Sequence, residues 1–313
     1  MNDDAVTSAD LAAPDTADAA RPARSWLVPA ATVAVVLIWA SAFVAIRGVG
    51  DHFSPGPLAF GRLTVGSVAL GLYALRLRRP IPRGRSIGLV LAYGVLWFAG
   101  YTFVLNAAER HLDAGTAAML VNFGPIIVAV LAGLFMGEGF PRPLVVGIVV
   151  GFSGVVLIAV GGSGGHSDGL GIPLGLVSAF LYGTSVLLQK IALRSIDAVS
   201  ATWIGCVAGN IALLGFLPQT VREVAHAPAG AVVGVAYLGL FPTAIAFTLW
   251  AYALTRSDAG RLASTTLTVP AIAVLMSWVA LSEVPTVIAM IGGALCLTGV
   301  ALSRRRSTRP GGR

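Results

Sequence analysis

The sequence predicts an all-α integral membrane protein: ten transmembrane helices arranged as two inverted five-helix repeats. Three observations carry that reading. Apolar residues make up 56% of the 313 residues and charged residues only 11%, the uncharged runs have spanning length, and the second half of the chain repeats the first. A soluble domain carries about a quarter of its residues as Asp, Glu, Lys or Arg, so this composition belongs in lipid.

A hydrocarbon core about 30 Å thick needs roughly 20 apolar residues per helix. Runs of that kind cover residues 26–50, 56–76, 86–109, 114–137, 143–162, 170–190, 199–217, 229–254, 259–281 and 285–303. The linkers between them leave no room for a folded soluble domain, so any chemistry must lie among the helices. Residues 1–25, rich in Ala and Asp, are expected to form a disordered cytoplasmic tail. The acidic start and the long apolar run after Trp26 argue for a retained first helix over a cleaved signal peptide. Cys206 and Cys296 fall inside spans with no partner spacing and read as packing residues.

The net charge of +7 is a topology signal and points away from nucleic acid. With both termini cytoplasmic, 17 Lys and Arg lie on the inner side, including Arg142, Lys190, Arg194, Arg256 and the basic tail 304–313, against Arg110 and Arg222 outside.

The repeat is the most specific signal. Asp113-Ala-Gly-Thr-Ala-Ala-Met-Leu-Val-Asn-Phe-Gly-Pro125, continuing to Glu138, aligns without a gap on Asp258-Ala-Gly-Arg-Leu-Ala-Ser-Thr-Thr-Leu-Thr-Val-Pro270, continuing to Glu283, at a constant offset of 145. The register carries on, with Gly147, Gly154 and Val155 on Gly292, Gly299 and Val300. Trp39-Ala-Ser-Ala-Phe-Val-Ala-Ile-Arg47 aligns more loosely with Tyr182-Gly-Thr-Ser-Val-Leu-Leu-Gln-Lys190. The repeats then cover residues 26–162 and 170–303. An odd number of spans per repeat inverts the second copy, the plan of many secondary transporters.

The Trp39 to Arg47 stretch, Ala59-Phe-Gly-Arg62, the Ala-Gly, mid-helix Pro and terminal Glu pattern, and the Gly-rich fifth and tenth helices resemble the EamA family of the drug/metabolite transporter superfamily. The resemblance implies a ten-helix inner-membrane carrier with a central cavity, exporting amino acids or related metabolites.

Several side chains are candidates for that cavity. Arg62 lies about six residues into the second span, some 9 Å deep at 1.5 Å per residue, where a charge usually faces a cavity or a partner. It suits a substrate carboxylate or a cap on helix carbonyls. Trp39, Phe43 and Arg47 are four apart and share one face of the first helix, although Arg47, near the outer end, could simply snorkel to the interface. Tyr101, Asn106, Asn122, Tyr182, Trp250 and Tyr252 are further lining candidates, with Trp97 and Asn210 beside them. Pro125 and Pro270 each remove a backbone donor in mid-span and are expected to break or kink their helices at gating points.

The acidic residues fall in the N-terminal tail, in loops or at helix ends; Glu109, the nearest to a buried exception, is the candidate titrating group, and a solvated helix end paired with Arg110 is the expected explanation for it. Nothing there argues for a buried proton carrier. Glycines four apart, Gly147 and Gly151, Gly171 and Gly175, Gly230 and Gly234, are expected to let helices approach. No cofactor, metal or nucleic acid is expected, and a homodimer is left open. An intramembrane enzyme would need clustered acids or His ligands; His52, His111, His166 and His226 are scattered. A non-transporting membrane protein is the other alternative, and it gives no reason for the duplication.

Overall fold

Apolar residues without interrupting charge build long helices here. The computed structural model describes residues 26–77, 85–135, 140–161, 169–256 and 265–303, and every regular element among them is helical. Both tails, Glu138 and residues 258–264 of the second repeat lie outside the described residues.

Helix α1 is Leu27–Val49 and α2 is Pro55–Arg76, with Pro55 in the first turn, where its missing N–H costs nothing. The third helix, α3, runs as α-helix Arg85–Gly94, passes through a π-helical turn Val95–Tyr101 and resumes over Thr102–Ala108. Then come α4 Ala114–Val121, capped by the Asp113 carboxylate on the Thr116 amide at 2.8 Å, α5 Gly124–Phe135 and α6 Arg142–Gly161. The second half holds α7 Gly171–Ala192, α8 Ala198–Ala212 and α9 Leu217–His226. It continues with α10, which joins Ala229–Leu238 through a π turn Gly239–Ile245 to Ala246–Leu254, and ends with α11 Val269–Leu281 and α12 Val287–Ser303.

Among the described residues, five helices are long and apolar enough to cross a membrane, and six if α8 and the segment after it, bent by 54°, form one span. Four shorter apolar stretches, Ala114–Val128, Arg142–Ile158, Thr266–Leu281 and Val287–Ser303, accompany them. Helix length alone therefore does not establish the ten expected spans, and several of the expected runs are interrupted. The fourth run breaks at Asn122–Phe123 and restarts with Pro125 in the first turn of α5; the ninth starts α11 with Pro270 in its first turn. Proline begins a helix comfortably but cannot continue one. The seventh run stops at Ala212, and residues 217–226, expected as loop, form α9 behind Pro218.

The outer surface is apolar, as lipid contact requires. Val145, Val149, Phe152, Val156 and Val160 of α6 form one exposed stripe, and Trp278, Val279, Val287 and Ile291 extend such a surface on α11 and α12.

Contacts between the halves follow a reciprocal pattern. Helix α1 packs on α10 and α11, and its repeat counterpart α7 packs on α3, α4 and α5. The pairs α2 with α8 and α6 with α12 join counterparts directly, and α4 meets α11, each from the fourth apolar run of its own repeat. Glycine makes the closest of these possible. A Cβ on Gly154 would strike the Gly292 carbonyl and sit 2.6 Å from the Cys296 amide, and one on Gly299 would meet Gly151 and Gly147 backbone. The free Cys296 thiol uses that proximity to donate to the Gly151 carbonyl at 3.3 Å. Gly171 and Gly175 face Leu112 and Leu120, and Gly234 faces Val49, whereas Gly230 faces open space.

Candidate functional site

The helical period places Trp39, Ala42, Phe43 and Ile46 on one face of α1, and that face meets side chains of both halves around a central cavity. Its other walls are Arg62 of α2; Trp97, Tyr101 and Leu105 of α3; Tyr182 of α7; Pro242 and Phe247 of α10; and Val121, Thr266 and Val269 at the breaks in the fourth and ninth runs. Repeat counterparts both contribute to its wall, Trp39 with Tyr182 at an offset of 143 and Val121 with Thr266 at 145. The cavity measures ≈ 60 Å³, room for a few water molecules.

Aromatic rings fix its shape. Trp97 sits in the π turn of α3, edge-on to Tyr182 at 5.5 Å and to Phe247 at 4.9 Å between ring centroids, and Trp39 meets Phe247 edge-on at 5.7 Å. Edge-to-face pairs at these distances are favourable and hold ring orientation.

The two π turns explain how these rings reach the centre. In α10, Pro242 cannot donate to the carbonyl of Leu238 four residues earlier, and the Thr243 hydroxyl donates to that carbonyl at 2.9 Å. In α3 the Thr102 hydroxyl donates to the Trp97 carbonyl at 3.4 Å. The turns occupy equivalent places, Val95–Tyr101 and Gly239–Ile245, at an offset of 144. Sequence reasoning assigned the irregular backbone to Pro125 and Pro270 and passed over these; Pro242 inside an apolar run was the available signal.

Arg62 is the cavity's charge. It is buried, and its Nε and Nη2 donate to the Thr243 hydroxyl oxygen at 3.3 and 3.2 Å. Thr243 thus stitches the guanidinium to the α10 π turn. Among the described residues no carboxylate lies within ion-pair distance of Arg62. Burying a charge without a paired counter-charge is costly, which leaves this guanidinium ready for an anionic group.

The other candidates divide. Trp39, Phe43, Tyr101 and Tyr182 line the cavity with Arg62. Arg47 does not: its Nε donates to Glu283 at 3.0 and 3.3 Å, an ion pair from α1 to the residue just past α11. It neither snorkels nor points inward, because a carboxylate from the other half is within reach. Asn106 donates to the Pro55 carbonyl at 3.2 Å and Asn122 to the Ala118 carbonyl at 3.0 Å, each away from the cavity. Trp250 is buried in a separate cluster behind Trp39, Tyr252 stacks under Arg256 at 4.0 Å, and Asn210 accepts from Thr64 at 3.2 Å. Helical periodicity gave each a face but not the neighbour on that face.

Glu109 corrects the expectation of a solvated helix end. It caps α3, is only 2% exposed, and neither carboxylate oxygen has a hydrogen-bond partner among the described residues, while Arg110 is exposed.

A second tie joins the halves near Ser54. Glu223 of α9 accepts from the Ser54 amide at 2.9 Å and from its hydroxyl at 2.6 Å, and Gln219 donates to Glu223 at 2.9 Å.

Relatives place this architecture. A "Probable terminal-alkyne amino-acid exporter" of Streptantibioticus cattleyicolor is 36% identical over 278 residues, covering 88% of this chain and 93% of that protein. An uncharacterized transporter of Bacillus subtilis is 32% identical over 85% of this chain and 87% of its own length. A "Probable amino-acid metabolite efflux pump" of Escherichia coli is 24% identical over 86% of this chain and 92% of that protein. One solved structure superposes with a TM-score of 0.58 at 21% identity, covering 88% of this chain and 95% of that one, which speaks for the fold alone. The model of the EamA-like transporter family matches twice, over residues 27–160 and 169–305, so both halves of the apolar, cavity-bearing helical assembly described above are accounted for and the chain belongs to that family of membrane transporters.

Proposed function

We propose that the protein is an alternating-access carrier that exports small amino acids or related amphiphilic metabolites across the cell's inner or plasma membrane. The observation that carries this reading is Arg62: a buried guanidinium with no acidic partner among the described residues, at the wall of an aromatic cavity that both halves build. Such a site suits a carboxylate attached to a small apolar body, with the guanidinium taking the charge and the rings the remainder. The names of the relatives favour an amino acid and outward movement.

The short apolar stretches, added to the long helices and the bent pair, give ten crossings in two inverted sets of five with both termini cytoplasmic. Reciprocal packing of α1 on α10 and α7 on α3 supports that plan. In this orientation Arg47–Glu283 and the Ser54–Glu223 tie lie on the outer side and hold the halves together there. The cavity is smaller than a metabolite needs, so loading requires the halves to part, with the restarts at Pro125 and Pro270 and the π turns as the places where backbone yields. Tags near residues 80 and 310 should report the same side of the membrane, and opposite sides would break the inverted plan.

Purified protein in liposomes should move labelled propargylglycine, a terminal-alkyne amino acid, or one of the common amino acids. Arg62→Ala should abolish that flux while the protein remains monodisperse in detergent. Flux of all of these indistinguishable from protein-free liposomes would sink the proposal.

A further inference from the structure

We infer that the Glu109 carboxyl is a proton-binding site of the carrier, loaded and unloaded as the protein works. The inference deepens the transport reading and rests on it for its biological meaning, although proton binding itself can be measured without any substrate.

The geometry is that of a carboxyl group with nowhere to put a negative charge. Glu109 ends α3 on the helix face that carries Tyr101 and Leu105, eight and four residues back, and both of those line the cavity. It is buried, and neither Oε1 nor Oε2 accepts a hydrogen bond from any described residue. One turn earlier the Asn106 Oδ1 is also buried and unpartnered. Three acceptor oxygens are therefore buried on the last turn of this helix with no described donor to any of them, and burying such groups unpaired is costly, most of all when one is ionised. A proton on Glu109 removes the charge and supplies a donor at once.

The surroundings make that proton conditional. The charged groups facing Glu109 are Arg47 of α1 and Arg62 of α2, which favour the carboxylate, and Asp113 and Glu283, which oppose it. Tyr101 lies within its field on its own helix, and Arg110, the next residue, is exposed. The contacting helix α7 carries Lys190 as its charged residue, at the opposite end. Arg47 is already committed to Glu283 at 3.0 Å, so Arg62 is the cation whose influence can change. Whatever alters the charge at Arg62 in the cavity alters the proton affinity of Glu109, and any movement that wets the end of α3 lets the proton leave. Only the first half carries this device, since the counterpart position at an offset of 144 is Ala253.

Difference infrared spectra of the purified full-length protein, taken between about pH 5 and pH 9, test the site with the proton as probe. The expected result is a carboxylic acid carbonyl band of the weakly hydrogen-bonded type that disappears as pH rises, is missing in Glu109→Gln, and moves to an aspartic acid frequency in Glu109→Asp. The aspartate variant secures the assignment even where the glutamine variant fails to fold. In Arg62→Ala the band should persist to higher pH, because a cation that favours ionisation is gone. In liposomes, propargylglycine flux should respond to an imposed pH gradient in the wild type and in Glu109→Asp but not in Glu109→Gln. A wild type lacking the band, or a band unchanged in both Glu109 variants, overturns the site. Absence of all amino-acid flux would instead strike the transport reading and leave the infrared result standing.

Discussion

The two halves of this protein share their backbone devices and differ in their charges. Both have a π turn in the third helix of the repeat, Val95–Tyr101 and Gly239–Ile245, and both place a proline, Pro125 or Pro270, in the first turn of a helix. Both also begin the repeat's second helix behind an extended N-cap residue, Ser54 or Asp197. At the offset of 143 set by those N-caps, Gly66 falls on Gly209, and each lets its helix approach a π-containing neighbour: Gly66 lies against the Gly239 carbonyl and Gly209 against the Gly94 carbonyl. The same offset puts Arg62 on Gly205, which leaves space for the Tyr93 ring. Shared backbone therefore builds the cavity twice over, and one half alone makes it electrically specific. Duplication kept what packing needs, and chemistry was assigned to a single copy.

The sharpest way to break this comparison is at the shared scaffold. Gly154→Leu and Gly299→Leu should each prevent recovery of monodisperse protein, since even a methyl group there meets backbone of the facing helix and overpacking alone costs about 1–3 kcal/mol. If one is tolerated and the other is not, the two halves do not share the α6–α12 seam equally. Size-exclusion profiles in detergent decide it.

Next comes the charge. Arg62→Ala should weaken binding of an amino-acid ligand by roughly tenfold to a hundredfold, the loss of one charge-assisted hydrogen bond of about 1.5–3 kcal/mol. Moving the charge to the other half with Arg62→Gly and Gly205→Arg should not restore binding, because Tyr93 occupies that side. Ligand-induced thermal stabilisation is a direct measure, and recovery in the swapped protein would show that the halves are electrically interchangeable.

A smaller difference separates the π turns. Thr243→Ala removes the donor to the Leu238 carbonyl and also the acceptor for Arg62, whereas Thr102→Ala removes only the donor to Trp97. Thr243→Ala should cost about 1 kcal/mol more than Thr102→Ala in thermal stability and should additionally lower ligand affinity. Equal effects on both readouts would mean that Thr243 does not hold the guanidinium.

The smallest effect is expected at the surface tie. A double-mutant cycle on Arg47→Ala and Glu283→Ala should give a coupling of about 0.2–1 kcal/mol, since both side chains remain partly exposed, at 15% and 26%. Exchanging the charges with Arg47→Glu and Glu283→Arg should recover most of what either single reversal loses. A coupling near zero would remove this pair from the contacts that join the halves.

Much of this architecture was legible in the residues. Low charge and long apolar runs set the membrane character, the 145-residue register set the duplication, and Arg62 stood out as a cation too deep to reach water. Trp39, Phe43, Tyr101 and Tyr182, which the structure places on the cavity wall, were readable as candidates from aromatic character and helix position alone. Asn106, Asn122, Trp250 and Tyr252 were not, because each has a local or cross-helix partner that periodicity does not encode: the Pro55 carbonyl, the Ala118 carbonyl, the ring of Trp39 and the guanidinium of Arg256.

The sequence by itself determined the solvent this chain folds in, the kind of element it forms and the repetition of those elements, because hydrophobicity and helical period are properties of contiguous residues. Only the tertiary structure decided that Arg47 is held by Glu283, that Glu109 is buried with no hydrogen-bond partner among the described residues beside an exposed Arg110, and that Arg62 leans on a threonine bonded to the Leu238 carbonyl that Pro242 leaves open. Each of those outcomes depends on which side chain arrives from the other half of the molecule, with partners lying 236 residues apart for Arg47 and Glu283 and 181 for Arg62 and Thr243. Burial and electrostatic pairing are set by that arrival and by nothing local.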